Sequence, residues 1–188
     1  MKLLLCFLPL LFVFPVVADD EVVLPSDRVI GRVENTDAGE RILIQEVWID
    51  APVAEVWKAH TTEDGWAAWS SPLVKIDLRI GGTIQTHYDG NAAIGDEGTN
   101  TLHILNYVPE RILTLRADVS KNWPELMKQD ADKMSNVILF EDLGDGKTHL
   151  TSYGVGYRDT PEYDALMRFF IQANEGLYEK LIATLEKK

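Results

Sequence analysis

The end of the chain constrains it most. The segment Thr148–Tyr157 reads as a strand and runs straight into an amphipathic helix from Pro161 to about Lys187. Alternate strand positions carry Leu150, Ser152, Gly154 and Gly156, whereas a packed core strand carries large β-branched side chains. One strand face is therefore nearly bare. If it lies under the helix, the volume between them is open, which is how a ligand pocket begins. If it faces outward, Tyr153, Val155 and Tyr157 point in and the volume closes. Periodicity alone leaves both readings open.

The beginning of the chain reads as an export signal. Lys2 precedes an apolar run, Leu3–Val17, then the small residues Val16-Val17-Ala18 and the acidic Asp19-Asp20-Glu21. This is the pattern of a secretory leader, and the run is short for a membrane span. The expectation is a signal peptide over residues 1–18, an N-terminal extension over 19–39 and one domain over 40–188. An uncleaved anchor is the rival. The only cysteine, Cys6, falls within the leader, so a mature chain in the periplasm or outside the cell would rely on its core rather than on disulfides. Losing Lys2 with the leader takes the net charge from −12 to −13. Such a surface repels phosphate backbones, so no nucleic-acid partner is expected. No later segment is apolar enough to cross a bilayer, so no stable membrane insertion is expected after cleavage.

Between these ends the chain punctuates itself clearly. Val29–Glu34 suits a short leading strand, and Arg41–Asp50 is rich in strand formers. Pro52 suits the first turn of a helix. Thr62 caps a second short helix, with Glu63 and Asp64 where acids favour the dipole. Trp66 and Trp69, three apart, share a face of it. Strands are then expected over Leu73–Arg79, Thr83–Asp89, Asn100–Val108, Ile112–Asp118 and Asn136–Leu143, with a polar helical insertion over Trp123–Lys133. Asp145-Gly146 sets a hairpin turn before the last strand. Thr160 and Pro161 open the terminal helix, whose apolar stripe is Tyr163, Leu166, Phe170, Ala173, Leu177, Leu181 and Leu185. This order predicts an α+β fold, a curved antiparallel sheet with its helices on one face.

Several phrases carry a resemblance. Asp50-Ala51-Pro52-Val53 followed by Val56-Trp57-Lys58-Ala59, the turn Asp77–Thr83, Pro109-Glu110-Arg111-Ile112, and Phe140–Gly146 followed by Thr148 and Leu150 occur in order over about residues 40–187. Together they resemble the SRPBCC superfamily, which includes START domains and Bet v-type allergens, and in particular its bacterial AHSA type (activator of heat-shock-chaperone ATPase). The stretch Ala68-Trp69-Ser70-Ser71-Pro72 departs from the paired tryptophans and Gly-Pro frequent there. The segments 19–39 and 119–135 are also unusual.

The resemblance implies a helix-grip fold, with the sheet wrapped around the long C-terminal helix and a hydrophobic cavity between them. In its register the helix-facing positions are Leu150, Ser152, Gly154 and Gly156, with Ile84, Thr86, Tyr88, Ile138 and Phe140. Trp66 and Trp69 would form a wall or lid, and Phe170, Ala173 and Leu177 would face the cavity from the helix. No cofactor is implied. A pocket of roughly 300 Å³ is at the small end for ligand sites, and left dry it would cost roughly 7 kcal/mol. It should therefore be collapsed, hydrated or occupied by a hydrophobic small molecule or lipid, and Asn174 would help make it partly polar.

Other chemistry is thinly represented. His87, His103 and His149 lie in strands without metal-site spacing, so no metal is expected. Neither a mature cysteine nor a Gly-x-Ser-x-Gly elbow is present to supply a nucleophile. Acid–base catalysis of the cyclase or dehydratase kind would draw on Tyr88, Glu46, Asp89 or Tyr157, with burial to shift a carboxylate. The leading expectation is an exported, non-enzymatic binder. A cavity enzyme and a co-chaperone-like interaction module are the alternatives.

Overall fold

The computed structural model describes residues 21–22, 27–118 and 125–187, so the expected leader lies outside the described residues. In chain order the elements are β1 (Glu21–Val22), β2 (Val29–Asn35), β3 (Glu40–Ile49), α1 (Val53–Thr61) and α2 (Glu63–Trp69). Next come β4 (Leu73–Ile76), β5 (Thr83–His87), β6 (Asn100–Val108) and β7 (Ile112–Ala117). The chain closes with α3 (Glu125–Asp130), β8 (Ser135–Gly144), β9 (Lys147–Arg158) and α4 (Pro161–Leu185). Among the described residues the strands form one nine-stranded sheet in the order β1-β2-β3-β9-β8-β7-β6-β5-β4. Every neighbouring pair is antiparallel.

Local chemistry explains most boundaries. Pro52 precedes α1, and the Thr62 hydroxyl accepts the Gly65 amide at 3.1 Å to cap α2. Gly144, Asp145 and Gly146 all have positive φ in the β8–β9 turn, as tight hairpin turns require. Thr160 holds the N-cap position of α4 in extended conformation, yet its side chain makes no capping bond to the helix. Pro161 still begins the helix with its fixed φ. The strand expected over Leu73–Arg79 stops at Ile76. There the chain folds into a tight turn closed by Gly82 N–H to the Arg79 carbonyl, 2.8 Å.

The N-terminal extension belongs to the sheet. β2 pairs along its length with β3, from Val29 opposite Val47 to Asn35 opposite Arg41. Gly31 lets this strand approach α4, since a Cβ there would lie 2.4 Å from Ile171 Cγ2. Ion pairs hold both ends of α4 to the sheet: Arg41 with Asp164 near its start, and Arg28 with Glu186 at its end, 2.5 Å. Arg28 also donates to the Trp48 carbonyl at 2.7 Å.

The core divides into two clusters under α4. The larger joins Val56 and Trp57 of α1 and Trp66 and Trp69 of α2 to Ile84, Ile104, Leu113, Ile138, Phe140 and Leu150 of the sheet, closed by Tyr178, Leu181 and Ile182 of α4. The smaller joins Val33 and Leu43 to Met127, Met134, Tyr157, Tyr163, Leu166, Met167 and Ile171. The buried stripe of α4 thus follows Tyr163, Met167, Ile171, Tyr178 and Leu181, and Ala173 is exposed rather than facing the sheet. A helix stripe is centred by 3.6-residue steps, and here the inward position between Ile171 and Tyr178 belongs to Asn174, which turns Ala173 to the flank.

β9 settles the ambiguity of its bare face. Leu150, Ser152 and Gly154 are buried and face α4. The alternation breaks at Gly156, whose φ is +89°. The β3–β9 pairing shifts there, with Arg41 opposite Tyr157 but Leu43 opposite Gly154. This is a bulge that re-aims the following residue. Tyr157, not Gly156, therefore enters the interior, while Tyr153 and Val155 remain half-buried on the other face.

Candidate functional site

A cavity of about 250 Å³ lies in the seam between the two core clusters. β3 and β9 supply Leu43, Gln45, Ser152, Gly154 and Tyr157. β6, β7 and β8 supply Leu102, Leu115, Ala117, Ser135 and Asn136. Phe170 and Asn174 come from α4, and Met127 and Met134 close it from α3 and the segment after it.

The polar part of the lining is ordered by its hydrogen bonds. Gln45 is nearly fully buried, and its Nε2 donates to the Ile171 carbonyl of α4 at 3.2 Å. Its Oε1 accepts from Asn174 Nδ2 at 2.8 Å. Across the sheet, the Ser152 hydroxyl donates to Asn136 Oδ1 at 3.0 Å. The buried Tyr178 phenol hydrogen-bonds with Ser152 beneath it, and burial raises its pKa. Gln45 and Ser152 face each other in the β3–β9 register, and Asn136 faces Gly154 in the β8–β9 register. Buried amides of this kind are tolerated where their groups find partners.

The apolar part is capped by α3, which at six residues is too short to persist alone. Its last residue, Asp130, anchors it. The buried carboxylate accepts from Arg158 of β9 at 2.5 Å, from the Tyr163 phenol of α4 at 2.6 Å, and from Lys133 at 3.0 Å. The Arg158 and Tyr163 bonds hold its pKa well below the ordinary carboxylate range. Burial and the bond to Asp130 push the Tyr163 phenol up to about 12. Gly156 completes the cap: a Cβ there would lie 2.3 Å from the Lys133 carbonyl oxygen, so the segment before Met134 packs directly on bare β9 backbone.

Of the residues expected to line a pocket, Ser152, Gly154, Phe170 and Asn174 do so. The floor at Gly154 is partly filled, because the Tyr157 ring and Leu43 stand 3.0–3.3 Å from where its Cβ would be. Trp66, Trp69, Ile84, Ile138 and Phe140 face inward but sit in the larger core cluster, and Leu177 packs at its edge. The Trp57 ring fills that end, 5.3 Å from Phe140. Thr86 is buried at the same end of the sheet, away from the cavity lining. Tyr88 lies past the end of β5 and is 62% exposed, and Ala173 points to solvent. Sequence reasoning missed Gln45, Asn136, Leu43, Leu102, Leu115 and the two methionines as lining. The inward phase of β3, set by Val47 and Ile49, was the available signal for Leu43 and Gln45.

The acid–base candidates disperse. Glu46 lies on the opposite sheet face, ion-paired with Arg32 and 3.2 Å from His149 Nε2. It borders a groove of about 770 Å³ there with His149, Arg111 and Tyr153. Asp89 binds the Asn91 amide in an exposed loop. Tyr157 alone reaches the cavity, and burial raises its phenol pKa, so it keeps its proton near neutrality. None of the described lining side chains is an Asp, Glu, His, Lys, Arg or Cys. No group of three His, Cys, Asp or Glu among the described residues is placed to hold a metal ion.

The sequence profile of the family described as Activator of Hsp90 ATPase homolog 1-like protein matches residues 50–186. No curated protein matches the chain. Solved structures do. The Aha1 dimer from Colwellia psychrerythraea is 16% identical with a TM-score of 0.61, covering 78% of this chain and 96% of that one. A conserved protein of unknown function from Enterococcus faecalis is 16% identical with a TM-score of 0.57, covering 84% and 77%. CalU16 from Micromonospora echinospora is 22% identical with a TM-score of 0.56, covering 87% and 78%. At these identities the likeness is one of fold. The profile match spans most of the chain, and the chain belongs to the Activator of Hsp90 ATPase homolog 1-like family.

Proposed function

We propose that this family member is an exported, non-enzymatic binder of a small, uncharged, amphipathic molecule, held between the sheet and α4. The observation that carries the reading is the lining itself. Apolar side chains from Leu43, Leu102, Leu115, Met127, Met134 and Phe170 surround a short polar seam of amides and two hydroxyls. Methionines suit such a wall because their flexible thioethers adapt to the shape of a guest. About 250 Å³ is room for roughly eight waters, which suits a compact molecule rather than a whole phospholipid.

A cyclase- or dehydratase-like activity needs a group that exchanges protons near neutral pH. The described lining offers amides, two hydroxyls and a phenol that burial keeps protonated. This favours binding over catalysis. The co-chaperone-like reading draws on the family description alone. Export is supported by the leader pattern of residues 1–18.

Native mass spectrometry of the protein purified from its own compartment tests the proposal. The expected result is a co-purifying neutral mass released on denaturation, on a chain beginning near Asp19. A chain that retains Met1 counts against export. A clean apo mass with no uptake of added small amphipaths counts against binding.

A further inference from the structure

We infer that the cavity selects a ligand bearing a neutral carbonyl at one end and a hydrogen-bond donor at the other, and rejects carboxylate-headed chains of the same size. The inference rests on the binding role proposed above and names its ligand chemistry.

The argument begins at Ile171. A backbone carbonyl can only accept, so the Gln45 atom facing it is Nε2. This fixes the Gln45 amide, turns its Oε1 toward Asn174, and requires Asn174 to present Nδ2 to it. Asn174 Oδ1 is thereby left as an acceptor with no donor among the described residues. A second relay links the Tyr178 phenol with Ser152 and runs on from the Ser152 hydroxyl to Asn136 Oδ1. Asn136 Nδ2 is thereby left as a donor with no acceptor among the described residues. Both asparagines line the cavity.

The two unused groups are complementary and separated. Asn136 stands on β8 and Gln45, the support of Asn174, on β3, with β9 between them. Two strand spacings set β3 and β8 roughly 10 Å apart. A carbonyl on the ligand would accept from Asn136 Nδ2, and an N–H or O–H at its other end would donate to Asn174 Oδ1. The Ile171 carbonyl pins the Gln45 amide and through it Asn174, and Asn136 presents Nδ2 to the cavity while Ser152 donates to its Oδ1. Desolvating a carboxylate here would go uncompensated, since no cation stands in the described lining.

The test is calorimetric titration of the full mature chain with the length-matched pair 6-hydroxyhexanamide and 6-hydroxyhexanoate, and with toluene as an apolar reference. The amide is expected to bind at least tenfold more tightly than the carboxylate at pH 7. Asn136→Leu and Asn174→Leu should each weaken the amide about tenfold relative to toluene. Retained toluene binding also reports that a variant is folded. Equal or tighter carboxylate binding overturns the inference. So does amide binding indifferent to both variants, with the binding role left standing if toluene binds. Failure of all three probes overturns the inference together with the role on which it rests.

Discussion

Acidification should destabilise this protein through one histidine. His60 on α1 is fully buried, with Nδ1 2.8 Å from the Val56 carbonyl oxygen. That oxygen can only accept, so Nδ1 carries the proton and Nε2 is bare in the neutral ring. The rings of Trp69 and Phe140 stand 5.1 and 5.2 Å away. Burial lowers the His60 pKa from 6.5 to about 4. The unfolded chain therefore takes up a proton near pH 6.5, while the native protein resists until about 4. The stability this group sustains is complete above 6.5 and declines as pH falls through that window. The loss is about 2 kcal/mol at pH 5 and about 3 kcal/mol at pH 4, against a typical total of about 5–15 kcal/mol. Urea unfolding from pH 7.5 to 4.0 on the wild type and His60→Met measures it. Met removes the titration, so the stability gap between the two should change by about 3 kcal/mol across the window, in the variant's favour at low pH. Parallel curves would refute the assignment of a neutral, buried His60.

Three further outcomes follow from the cap and the cavity. Gly156→Ala combines a positive φ with a contact on the Lys133 carbonyl and should destabilise by about 2–3 kcal/mol, read as a lower urea midpoint. Asp130→Asn weakens the charged anchor of α3 and should raise amide hydrogen exchange selectively over residues 125–134, leaving α1 and α2 protected. Because the Asp130 pKa is depressed in the native state, its anchoring should hold from pH 8 down to about pH 5 and fail only as pH falls below the ordinary carboxylate range. Ala117→Phe places a ring in the cavity lining and should abolish uptake of small apolar probes while shifting thermal stability little, as checked by calorimetry.

How much of this was legible in the sequence differs by level. The Thr62 cap, the Asp145-Gly146 turn and the bounds of β6 follow from local chemistry that tertiary packing does not override. The inward phase of β9 through Gly154 was legible only as one of two open readings, tilted by the family's register. Beyond Gly154 it fails, because a bulge at Gly156 is set by the Lys133 segment pressing on the strand, a contact distant in sequence. The site residues show the same division. Ile84, Ile138, Phe140, Trp66 and Trp69 were placed on the inward side, and they are buried there. Whether an inward position meets a void or a neighbour depends on what arrives from elsewhere. Trp57 closes one end, and the polar pair Gln45 and Asn174 holds the other apart. Periodicity reports a face, and the depth above it belongs to the fold.

The most direct test of the account is a methyl-NMR titration of the mature protein with toluene, following the Met127 and Met134 methyls. The account predicts saturable shifts at both methionines and at Leu115, absent in Ala117→Phe. Shifts confined to surface residues, or none at all, would contradict a binding cavity beneath α4.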